Sequence, residues 1–128
     1  MAYYKKNQTA YAAWWKAWVA AENQDFDKAK ALAQEFKVHA DETGNPNHAM
    51  QVNYLQALLA LAQGEHTQAL EFFDQTDMRW ALAMYYQALA KEKAGDAEGA
   101  KALYEKIANW NFENQWTAIY RKKATDKL

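Results

Sequence analysis

Three histidines, sixteen acidic side chains and no cysteine are the reactive groups this chain holds. His39, His48 and His66 do not fall four apart on any one helix, and no HExxH occurs, so a zinc site is not expected. They read as ordinary surface histidines. The carboxylates lie among lysines, as in EKAGDAEGAK, the pattern of solvated helix faces and caps. Glu71, Asp74 and Asp77 have the spacing to share a helix side, but no histidine or apolar shroud accompanies them to shift a pKa. Without cysteine there is no thiolate nucleophile, no disulfide and no cysteine zinc site. Neither GxSxG, the phosphate loop GxxxxGK[ST] nor GxGxxG is found. No catalysis, cofactor or metal is therefore expected.

What the chain does hold is aromatic surface: six Trp, eight Tyr and five Phe in 128 residues. Tyr11, Trp14, Trp15, Trp18, Tyr54, Tyr85 and Tyr86 form the candidate partner-binding set. Trp14 and Trp18 are one turn apart and share a helix face. Rings of this kind either fill the space between helices or offer a large apolar contact. A further reading has Trp15 facing a preceding repeat.

The elements that must position these rings are helices. Alanine occurs 27 times, against 11 for Val, Ile and Thr together, and there are four Gly and one Pro. Ala favours helices, β-branched residues favour strands, and the turn residues of an all-β fold are missing. The formal net charge is −1, which lacks the basic footprint of nucleic-acid binding. No apolar run approaches a transmembrane span. The opening MAYYKKNQTAYAAWW reads as a first helix rather than a signal peptide, because Lys16 and Glu22 break its apolar run. By default this gives a cytoplasmic placement.

Three segments, 11–36, 51–76 and 82–107, align without gaps at offsets of 40 and 31 residues. The alignment places Trp14, Tyr54 and Tyr85 together, then Ala17, Ala57 and Ala88, then a turn at Gln24, Gly64 and Gly95, then Ala29, Ala69 and Ala100. Periods of this size signify stacked helical hairpins. Second helices carry one narrow apolar stripe, for example Ala29, Leu32, Ala33, Phe36 and Ala40, whereas first helices are apolar more widely. An inner row flanked by neighbours and an outer row half in water follow. Helices are expected over 3–22, 26–41, 47–63, 66–76, 78–94, 97–109 and 112–126, with repeats at about 11–40, 47–76 and 78–109. Asp77 and Asn111 are the expected caps of the fifth and seventh helices. The last is a terminal cap carrying Trp116, Ile119, Tyr120 and Ala124 and ending in Arg121, Lys122, Lys123 and Lys127. Gly99, early in a helix, is expected to permit close helix approach.

The segments ALLALAQGEHTQALEFF and ALAKEKAGDAEGAKALYEKIA resemble the tetratricopeptide repeat. Ala57, Gly64, Ala69 and Phe73 match its core spacing, as do Ala88, Gly95, Ala100 and Tyr104. In WKAWVAAENQDFDKAKALAQEF, Gln24 replaces the glycine and Ala33 the late aromatic, and the early Trp of the pattern is Ala13, Asn53 and Met84 here. The resemblance covers about residues 11–108. It implies an all-α, right-handed superhelix of three hairpins plus a capping helix, in one domain spanning 1–128, alone or as part of a longer repeat protein. It also implies a protein- or peptide-binding role, with a groove lined by first helices. Members that grip a carboxylate tail use Lys, Asn and Arg there; Trp14, Trp18, Leu55, Leu82 and Tyr86 stand at the matching places, so no such clamp is expected. Binding by aromatic contact is expected instead, with self-association or docking within a longer chain as the alternative.

Overall fold

The structure is a computed structural model that describes residues 2–76, 81–109 and 115–128. The described residues form seven helices and no strand: α1 Ala2–Glu22, α2 Phe26–Thr43, α3 Pro46–Ala62, α4 His66–Phe73, α5 Ala81–Lys93, α6 Ala97–Ala108 and α7 Gln115–Lys127. The caps expected at Asp77 and Asn111 lie outside the described residues, as does the Trp116 side chain.

The three hairpin turns are one structure used three times. Gln24, Gly64 and Gly95 all have positive φ, at 64°, 82° and 95°. The residue that follows, Asp25, Glu65 or Asp96, sits at φ −89°, −90° or −92° and ψ 72°, 71° or 73°. Its N–H reaches back to Ala20, Ala60 or Lys91 at 2.9, 2.9 and 2.8 Å. These bonds absorb carbonyls that a helix end leaves without partners. The first hairpin makes this turn without glycine, at a cost to Gln24 of roughly 1–2 kcal/mol for the left-handed backbone. Asp25 and Asp96 then cap α2 and α6, accepting from the N–H of Lys28 at 3.4 Å and of Gly99 at 2.9 Å. The three atoms nearest to a Cβ added at Gly99 all belong to the Asp96 carboxylate, the free end of a side chain that can turn aside, and not to a neighbouring helix as expected.

Each hairpin closes on alanine. Ala17, Ala57 and Ala88 are fully buried, as are Ala29 and Ala69, with Ala100 at 2% exposure. Small residues at these crossings let the two helices of a hairpin pack closely. Hairpins α1–α2, α3–α4 and α5–α6 then stack, with α2 on α3, α4 on α5, and α6 on α7. First helices also touch in series, α1 to α3, α3 to α5 and α5 to α7, whereas among the described residues no packing is found between α2, α4 and α6. The inner row is therefore continuous and the outer row is splayed, the curvature of a solenoid. Among the described residues, Phe36, Phe73, Leu55, Leu58, Met84 and Ile107 are the largest side chains fully inside.

The last turn is tied separately. The Tyr104 hydroxyl of α6 donates to Glu92 Oε2 of α5 at 2.7 Å, and Lys127 Nζ of α7 lies 3.5 Å from the same oxygen. The Tyr104 hydrogen bond, helped by the Lys127 charge, holds the Glu92 carboxyl below its ordinary pKa.

Candidate functional site

The inner row gathers the aromatic residues into one seam, but the seven candidates do not share one fate. Trp14 and Tyr54 are 3% exposed. Their rings stack at 5.7 Å and 24°, and the Trp14 indole N–H donates to the Gln51 carbonyl of α3 at 3.1 Å. Tyr54 rests in turn against Phe73 at 6.1 Å. These two rings join hairpins one and two and, buried as they are, form the floor of the seam rather than its exposed surface. Burial raises the Tyr54 hydroxyl pKa well above its ordinary value and keeps it neutral.

Above this floor lie Trp18, Tyr85 and Tyr86, each half-buried. Trp18 meets Tyr86 edge to face at 5.4 Å and 89°. That contact joins α1 to α5, skipping over α3. Tyr86 continues to Tyr85 at 5.3 Å and to Tyr120 of α7 at 6.0 Å. Tyr85 lies 5.5 Å from Tyr120 and 5.8 Å from Tyr104, with Lys123 Nζ 5.9 Å over its ring. Desolvation, then the neighbouring Tyr120, raises the Tyr86 hydroxyl pKa. At the other end the Trp18 indole N–H donates to Glu22 Oε1 at 3.3 Å. The seam is thus a row of ring faces and edges with a carboxylate at one end and an ammonium at the other.

Trp15 sits at the rim of the seam, its ring edge to face on Trp14 at 4.9 Å, and Tyr11 stands apart from it. Trp15 is 43% exposed, with its ring 5.7 Å from Trp18 on the solvent side of α1. Tyr11 is half-buried against Phe36 at 5.0 Å and His48 at 5.9 Å, toward the α2–α3 junction. Tyr120 was legible only as a cap residue; its place in the seam depends on how α7 folds back onto α5.

At the α2–α3 junction the histidine reading needs correction. His39 and His48 are 7% and 5% exposed, with rings 5.2 Å apart. His39 Nε2 is 2.9 Å from Asn7 Oδ1, and His48 Nδ1 is 2.7 Å from Thr43 Oγ1. Thr43 donates to the Ala40 carbonyl and accepts from the Asn45 N–H, so His48 supplies the proton in its bond. A shallow cleft of about 400 Å³ opens beside the pair, lined by Tyr3, Lys6, His39, Glu42, Thr43 and Asn45. Among the described residues no three or more His, Asp or Glu side chains group to hold a metal.

Burial, then the neighbouring His39, lowers the His48 pKa below 6.5. The unfolded chain therefore binds a proton here before the folded one does. This contribution to stability is complete above pH 6.5 and is lost as pH falls below it. Urea midpoints taken between pH 7.5 and pH 5 should fall, with a slope from this group of at most about 1.4 kcal/mol per pH unit. In His48→Gln the fall should be shallower; an unchanged slope would show that His48 does not titrate with folding.

The chain matches the family model of the tetratricopeptide repeat over residues 82–109, which is α5, its turn and α6. No curated protein and no solved structure matches it. No helix among the described residues is long and apolar enough to cross a membrane. Tetratricopeptide repeats generally mediate protein–protein interaction. The turn, the small residues and the hairpin closure of residues 82–109 recur in the two hairpins before it. The match covers that one hairpin, so residues 82–109 form a tetratricopeptide-repeat unit, to which the two preceding hairpins are similar.

Proposed function

We propose that the chain is a non-catalytic module that binds a protein or peptide along the seam of Trp18, Tyr86 and Tyr85. The observation that carries this is the Trp18–Tyr86 contact, a half-exposed aromatic edge assembled from helices of the first and third hairpins. Beneath it, Trp14 and Tyr54 are locked by stacking and by the bond to Gln51. Rings held this way lose little conformational entropy when a partner covers them, which favours them as anchors. No lysine, asparagine or arginine stands at the positions that would clamp a carboxylate tail, so the partner fits by apolar contact. Glu22 and Lys123 at the two ends give such a partner an orientation.

The test is a binding titration with a peptide selected from a displayed library on the wild-type chain. Trp18→Ala and Tyr86→Ala should each weaken binding about tenfold or more, as central aromatic anchors do. Raising salt severalfold should change affinity little, because apolar contacts are not screened. Folded variants that bind as well as wild type, or a steep salt dependence, would refute the proposal.

A further inference from the structure

We infer that the solvent face of α1 is a self-recognition surface that pairs two copies of this chain through antiparallel α1 helices. Lys5, Gln8, Ala12, Trp15, Val19 and Glu22 are all exposed, and they alternate in steps of three and four residues. That spacing is the seam by which one helix lies along another. It runs about 26 Å along α1, directly opposite the buried Ala10, Ala17 and Ala21.

The other hairpins show what this face does when covered. At the positions of Ala12, Trp15 and Val19, α3 carries Val52, Leu55 and Leu59, and α5 carries Ala83, Tyr86 and Ala90. Leu55, Leu59, Ala83 and Ala90 are buried, Val52 and Tyr86 partly so, in helices that each have a preceding hairpin to lie against. On α1 the same positions leave Trp15 43% and Val19 56% exposed.

The sequence of the seam selects its occupant. Laid antiparallel on a second copy, it places Lys5 opposite Glu22, Gln8 opposite Val19 and Ala12 opposite Trp15. The largest side chain meets the smallest, and each end pairs opposite charges. The two-fold axis repeats every pairing, as a closed dimer requires. Glu22 is already held in place by the Trp18 indole N–H. A single helix pair covers less than the roughly 800 Å² per partner of a standard interface, so the dimer is expected to be concentration-dependent.

Sedimentation equilibrium over a wide concentration range tests this on the full chain. Wild type should show a monomer–dimer equilibrium. Trp15→Ala should raise the dissociation constant about tenfold or more. Lys5→Glu and Glu22→Lys should each raise it about tenfold by setting like charges opposite one another twice per dimer. The double variant should return to within about threefold of wild type. Tyr86→Ala, in the peptide seam, should dimerise as wild type does, which separates this inference from the proposed function. A monomer at every concentration would overturn it. So would dimerisation indifferent to Lys5→Glu, or a charge swap that restores nothing.

Discussion

Trp14→Ala is expected to lower the stability of the chain by about 3–5 kcal/mol, the range for emptying a large aromatic site in a packed core. Three effects act together. The indole is 3% exposed, so its removal leaves a cavity between α1 and α3. Its stack on Tyr54 is lost, and so is the hydrogen bond by which the indole N–H ties α1 to the Gln51 carbonyl of α3. The neighbouring Trp15→Ala, in the same turn of helix, should cost about 1 kcal/mol or less because that ring is 43% exposed. Urea denaturation of both variants measures the contrast directly. Equal losses would show that the two indoles are not divided between core and surface as described.

Phe73→Ala carries the second large effect, also about 3–5 kcal/mol. Phe73 is fully buried at the end of α4, with its ring against Tyr54. It holds the late aromatic position of its hairpin, where the first hairpin has Ala33 and the third has Tyr104. The three hairpins differ in what they can lose at that position. The first has only a small residue there, and its interior is filled by Phe36 instead. In the third, the Tyr104 ring is tied by its hydroxyl to Glu92. In the second, Phe73 is purely apolar, so its cost is wholly cavity and lost burial. Urea unfolding reads it, and a loss near that of an exposed substitution would contradict the packing.

Much of the fold was legible because its signals are local. The left-handed turns were marked by Gly64 and Gly95, and alignment alone carried the same turn to Gln24. The closing alanines followed from spacing. Helix ends were less legible. α4 stops at Phe73 rather than residue 76, because the N–H groups of Gln75 and Thr76 reach the Phe72 and Phe73 carbonyls in a tightened last turn. α2 runs on to Thr43 because Gly44 supplies a left-handed cap. The buried His39 was readable in principle, since it adjoins Phe36 and Ala40 on the stripe of α2.

The division of the aromatic set was not legible. Trp14 and Trp18 share a face, yet one is floor and the other is edge. The difference is set by where α3 and α5 cross α1, and that depends on the curvature of the whole stack rather than on any window of sequence. The same curvature brings Tyr120 of the final helix into the seam.

The central claim is that the stack curves enough for its first hairpin to touch its third through the inner aromatics. Nuclear Overhauser contacts between the Trp18 indole and the Tyr86 ring protons test it most directly. Clear cross-peaks between these two residues are expected, because their ring centroids lie 5.4 Å apart. Cross-peaks from Trp18 confined to protons of α1 and α3 would contradict it.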